Sequence, residues 1–148
     1  MPARIELSIF IAAPSEKVWE ELADLGSHPE WMDDAATVKF IGEQRTGIGT
    51  RIVAATRVGP LRAEDVMEVV EWSEGRVIGV EHVGSVHGTG RFEISAVSRG
   101  TEVRWIESLG FPWWLGGPIG AWVARPILSR IWRGNLERLK RRVELSGH

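Results

Sequence analysis

Three side chains in this 148-residue chain have the type and setting for proton chemistry: Glu68, His82 and Glu107. Each lies in a stretch alternating apolar and polar residues, so backbone pleating decides which face it takes. In TEVRWIESL, Val103, Trp105, Glu107 and Leu109 share one face, while Arg104, Ile106 and Ser108 share the other. If Trp105 points into an interior, Glu107 goes with it, and a partly desolvated carboxyl there suits general acid or base work. By the same alternation VMEVVEW presents Val66, Glu68, Val70 and Trp72 together, so a Glu68–Glu107 pair would form a proton-transfer site. The plainer reading, preferred on sequence grounds, sets both glutamates at a sheet rim, solvated or paired with Arg51, Arg91 or Arg104.

His82 and His87 are five residues apart. That puts them on opposite faces of a continuous strand, and Gly84 and Ser85 suggest a turn between them. No second pair stands at ligand spacing, so no metal site is expected. His82 is then an ordinary surface histidine or a polar group aimed into a cavity, the surface reading being preferred. The chain has no cysteine, which removes thiol catalysis, disulfides and cysteine-held metals. TGIGT lacks the Lys-Ser/Thr of a phosphate-binding loop and reads as a hairpin turn. No cofactor is expected.

Tyrosine is absent, yet there are eight tryptophans, four of them in GFPWWLGGPIGAWVARPILSRIW at 110–132. Three readings compete for that segment: a membrane-surface helix, a packed core, and the mouth of a pocket. Pro126 and several glycines interrupt any continuous amphipathic helix. Gly110, Gly116, Gly117 and Gly120 permit backbone movement, while Trp113, Trp114 and Trp122 supply apolar walls. We read it as mouth and lid, in part also core, with transient membrane contact compatible with that role.

The elements that must position these residues follow from periodicity. RIELSIFI is a strand with one buried face, and PSEKVWEELADLG is a helix entered at Pro14 and Ser15 and stopped near Gly26. SHPEWMDDA reads as a brief second helix. Six extended runs follow, broken by RTGIG, GPL, SEG, GS and SRG, which suit an antiparallel meander. The chain closes with a helix through Ile127, Ile131, Leu136, Leu139 and Val143, with Pro126 either kinking it or marking its start. The basic ERLKRR stretch reads as a solvated helix face. This is an α+β chain of one domain, residues 1–148: a curved seven-stranded antiparallel sheet around a long C-terminal helix, with two short helices after the first strand.

IAAPSEKVWEELADL, HPEWMDDAATVKF, TGIGTR and NLERLKRRVE occur in the order and spacing of the START-like, helix-grip (SRPBCC) superfamily, and the chain most resembles its polyketide cyclase/dehydrase and lipid-transport family. The resemblance implies a cavity between sheet and last helix and an apolar ligand such as a lipid, polyketide, sterol or quinone-like molecule. It carries over no catalytic residue. The residues expected to line the cavity are Trp31, Trp72, Phe92 and Trp105, with Trp113, Trp114 and Trp122 at its mouth. Binding or transport of a hydrophobic small molecule is the first expectation. A cyclase or dehydratase using Glu68, Glu107 or His82 is the second, and a protein-interaction module the third. A formal charge of −2 gives no pull toward nucleic acid. The short, interrupted apolar N-terminus is not a signal peptide, so a cytoplasmic location is expected. Monomer and homodimer both stay open.

Overall fold

The computed structural model describes residues 3–84 and 86–146. Strand β1 (Ala3–Ile11) leads into α1 (Ser15–Ala23) and a 3-10 turn at Leu25–Glu30. Six strands follow: β2 (Ala35–Ile41), β3 (Arg51–Val58), β4 (Leu61–Ser73), β5 (Val77–Val83), β6 (His87–Val97) and β7 (Gly100–Gly110). A second 3-10 turn, Trp113–Leu115, precedes the long helix α2 (Gly117–Ser146). The seven strands form one antiparallel sheet in the order β1-β7-β6-β5-β4-β3-β2, the architecture expected. Helix α1 starts at Ser15 without a side-chain cap on Pro14, and Pro126 lies inside α2 without marking its start.

Pleating sorts the sheet into two faces. On β7, Thr101, Val103, Trp105, Glu107 and Leu109 are buried while their neighbours are half-exposed. Across the register they line up with Phe92 and Ile94 on β6 and with Ile78 on β5. Helix α2 lies along β1 and β7, at one side of this concave face, and the first 3-10 turn packs on β2 at the other. The larger core gathers under α2 around Val18, Leu22, Leu136, Leu139 and Val143; a smaller one, Leu25, Ile52 and Val69, sits under the 3-10 turn. Burying each such side chain contributes about 1.5–3 kcal/mol.

Aromatic rings join the layers. Trp132 of α2 stacks on Trp105 of β7, with centroids 5.1 Å apart and planes 23° from parallel. Phe92 lies 4.8 Å from Trp105, and Trp31 meets both edge-on. A polar clamp fixes the same contact. Asp34 accepts from Trp132 Nε1 (2.9 Å) and from Asn135 Nδ2 (2.8 Å), Asn135 Oδ1 accepts the Asp33 backbone N–H (2.9 Å), and Arg138 Nε donates to the Trp31 carbonyl (3.0 Å). The basic end of α2 is also more than a solvated face: Arg142 bonds Glu21 of α1 at 2.7 Å, and Lys140 donates to the Phe10 carbonyl at 2.8 Å.

Asn135 is fully buried, and Asn135→Ala would strand the Asp33 N–H and one Asp34 oxygen. We expect a loss of about 2–3 kcal/mol, read as a lower urea midpoint at unchanged slope.

Candidate functional site

The inward row contains three ionisable groups. His82 Nδ1 lies 2.7 Å from Asp65 Oδ2, and His82 Nε2 lies 3.1 Å from Glu107 Oε2. Trp105 Nε1 donates to the other Glu107 oxygen at 3.1 Å. His82 and Glu107 are buried, and Asp65 is nearly so. With a carboxylate oxygen facing each ring nitrogen, both nitrogens must carry hydrogen, which makes His82 an imidazolium. Burial opposes that charge, but the hydrogen bonds to Asp65 and Glu107 and their negative charges outweigh it, and the His82 pKa is pushed up to about 10. The trio then carries one net negative charge.

Its assembly spans four strands: Asp65 on β4, His82 on β5 and Glu107 on β7, with β6 between the last two. Strands lie about 4.8 Å apart, so any side chain on β6 would block the contact. At the crossing β6 presents Gly88, register partner of His82, and Gly90, register partner of Glu107. A Cβ on Gly90 would stand 2.6 Å from Glu107 Oε1. Gly90 of HGTGRF thus leaves the gap through which histidine and glutamate meet, whereas Gly88 is required by its φ of 136° and by the Ser108 backbone that a Cβ there would strike.

The sequence puts Trp105 and Glu107 on one face, and the structure buries that face, so Glu107 does not take the solvated or arginine-paired rim position preferred for it: it is held by His82 and Trp105 inside. His82 is buried, against the surface reading preferred for it. Glu68 does not join Glu107: it points to the outer face and pairs with Arg51 at 3.2 Å. A β-bulge between Val69 and Glu71 inserts a residue into β4, so Trp72 shares a face with Asp65, Met67 and Val69 and not with Glu68. Asp65 escapes sequence reading for the same reason: its inward parity is legible only once the bulge is known. His82 and His87 do sit on opposite sides of a turn, and Ser85 falls outside the described residues. The two carboxylates flank the imidazole from opposite sides, and among the described residues no three potential ligands converge on a metal-sized point.

The expected ligand-lining residues fall into two sets. Trp31, Phe92 and Trp105 are buried in the aromatic core, and Trp72 packs half-buried against Trp19 with its N–H on Glu74 (2.9 Å). Trp113, Trp114 and Trp122 are exposed. A cleft of about 350 Å³ lies at the end of β6 and β7, bounded by His87, Gly88, Thr89, Ser108, Phe111, Pro118 and Ala121, and none of the expected tryptophans is among its lining residues. It borders the row holding the trio through Gly88. Three buried side-chain polar atoms have no hydrogen-bond partner among the described residues: the acceptor Asp65 Oδ1 and the donors Trp31 Nε1 and Arg91 Nε, the last of which still faces the Glu93 carboxylate at 3.1 Å.

Two outcomes test this geometry. Gly90→Ala would push the Glu107 carboxylate off His82, costing about 1–3 kcal/mol and returning the histidine toward its ordinary pKa of ~6.5, both visible by NMR titration. In the parent protein, the unfolded chain loses its His82 proton near pH ~6.5, while the folded chain keeps it to about pH 10. The ion pairs therefore count fully below ~6.5, and stability should fall as pH rises from ~6.5 through 10. His82→Gln should flatten that alkaline fall in urea titrations. His28 works in the opposite sense. Burial depresses its pKa against the opposing bond to the Leu22 carbonyl, so stability should also fall as pH drops below ~6.5.

Comparison with known proteins places the fold. The chain is similar to TTHA0849 from Thermus thermophilus, at 16% identity over 99% of this chain and 100% of that one, with a TM-score of 0.81. It is similar to the Zhui aromatase/cyclase from a Streptomyces species at 18% identity, 97% and 94% coverage and a TM-score of 0.77. Norcoclaurine synthase from Thalictrum shares 13% identity over 97% and 94% of the two chains, with a TM-score of 0.70. At such identities the likeness is one of fold. A family model described as polyketide cyclase / dehydrase and lipid transport matches residues 2–144. With nearly its whole length matched and a helix-grip architecture in every element, the chain belongs to the polyketide cyclase/dehydrase and lipid-transport family.

Proposed function

We propose that this protein binds a hydroxylated hydrophobic small molecule, of polyketide-like or lipid-like character, at the open end of the sheet–helix interior. The observation that carries this is the charged trio Asp65–His82–Glu107 set into an otherwise apolar face, with Asp65 Oδ1 lacking a partner among the described residues. A buried acceptor left unpaired costs about 1–3 kcal/mol or more when charged, so a ligand hydroxyl that fills it recovers that cost. The apolar body of the ligand would lie along Phe111, Pro118 and Ala121, and its hydroxyl would donate to Asp65. Trp113, Trp114 and Trp122 would stand outside that opening, close in sequence to the Phe111, Pro118 and Ala121 that line it.

A second reading, catalysis of cyclisation or dehydration, is favoured by one feature: an imidazolium bridging two carboxylates can pass a proton from one to the other. Asp65 would take a proton from the substrate, His82 would deliver its own to Glu107, and the charge of the trio would be rearranged without solvent. The aromatase/cyclase fold neighbour is compatible with this reading.

The test is calorimetric titration with 2-naphthol and with 2-methoxynaphthalene, which lacks the donor. Micromolar binding of the naphthol, weakened roughly tenfold or more in Asp65→Ala with the ether unaffected, is the expected result. Equal binding of both probes, insensitive to Asp65, sinks the role given to the trio. No uptake of either, with a clean mass for the freshly purified protein, sinks the binding reading. Turnover of a polyketide-like substrate that is lost in Glu107→Gln at unchanged affinity would promote the catalytic one.

A further inference from the structure

The first turns of α2 are built inside out. Ile119, Trp122, Val123, Pro126 and Ile127 recur at helical spacing on one stripe, and every one of them is exposed. Only Gly117 and Ala121 are buried on the opposite side before Trp132 is reached. The preceding 3-10 turn adds Trp113 and Trp114, and Trp113, Ile119 and Trp122 are 86%, 77% and 71% exposed. Together these residues present apolar surface on the order of several hundred Å², the range in which a patch marks an interaction site.

Charge indicates what covers it. No Asp or Glu occurs between Glu107 and Glu137, whereas Arg125, Arg130 and Arg133 do, a local excess of positive charge in a chain whose formal net charge is −2. Arg130 and Arg133 continue the apolar stripe one and two turns farther along the helix. Both are exposed, and among the described residues neither is held in an ion pair. An apolar tip rich in indole followed by a cationic collar matches the layers of a lipid surface, with acyl boundary first and phosphates next. A second copy of the chain fits less well, because the one carboxylate on this stripe of α2, Glu137, stands a turn beyond Arg133 at the end away from the indoles, and the rest of the stripe is apolar or cationic. We propose that the 3-10 turn and the outer stripe of α2 dock on anionic lipid bilayers, Trp113, Ile119 and Trp122 entering the interface and Arg130 and Arg133 meeting phosphates. The cleft beside Phe111, Pro118 and Ala121 would then open against the lipid. This proposal is independent of the part given to Asp65.

The experiment is co-sedimentation of the full chain with vesicles of phosphatidylcholine alone and of equal parts phosphatidylcholine and phosphatidylglycerol, with sedimentation velocity run at the same protein concentration. We expect at least roughly tenfold stronger binding to the anionic vesicles, weakened by salt and accompanied by a blue shift of tryptophan emission. Arg130→Glu/Arg133→Glu should abolish the preference for anionic lipid, and Trp122→Ser should weaken binding to both vesicle types. These residues are exposed, so unchanged thermal unfolding of the variants is expected and is checked. Failure to bind anionic vesicles overturns the proposal, as does binding indifferent to both variants. A dimer that Trp122→Ser dissociates, seen without vesicle binding, assigns the face to a second copy and also overturns it.

Discussion

The stack of Trp132 on Trp105 is the aromatic contact that ties the long helix to the inward face of β7. Helix α2 shares the concave face with α1 and the first 3-10 turn, and its own position depends on what rises from the sheet to meet it. Trp105 rises from β7 with Phe92 and Trp31 around it, and the Asp34–Asn135 clamp fixes the far side of the same ring pair. A large flat side chain suits this place because indole offers broad dispersion contact and one N–H to anchor. Both stacked indoles use that N–H on a carboxylate, Trp132 on Asp34 and Trp105 on Glu107. The packing of the helix and the orientation of Glu107 are therefore one arrangement, seen from two sides of the same ring.

From this follows the character of the polar trio. Glu107 is positioned through Trp105 on its own strand, reaches His82 through the space left at Gly90 of the strand between, and Asp65 joins them through the parity that the β4 bulge imposes. No two of the three are neighbours in sequence, and no loop contributes to them. They sit on strands of the one sheet, between the region covered by α2 and the region covered by the first 3-10 turn. Such a location favours a fixed geometry over a moving one.

The strands, their antiparallel meander and the shared face of Trp105 and Glu107 are legible in the sequence, because alternation survives wherever a strand runs unbroken. Alternation misleads at Glu68, where one extra residue between Val69 and Glu71 reverses the parity of everything upstream. It is silent about the meeting of Asp65, His82 and Glu107, since contact across β6 depends on register and on the absence of a side chain at Gly90. Alternate glycines between two polar residues are a readable sign in retrospect, but an ambiguous one, as glycine in a strand also marks bulges and turns. The tryptophans divide in a way that composition shows only in part. It does not tell Trp105, which is core, from Trp113 and Trp122, which face outward.

Helix α2 is one piece by hydrogen bonding and two by burial. Its C-terminal part carries Trp132, Leu136, Leu139 and Val143 into the core, while its first turns bury only Gly117 and Ala121. Substitutions in the first part therefore cost the fold little, and substitutions in the second cost it much. Selection can rewrite the outer turns for a new surface or ligand without renegotiating the domain's stability, and Pro126 stands near the boundary between the two regimes.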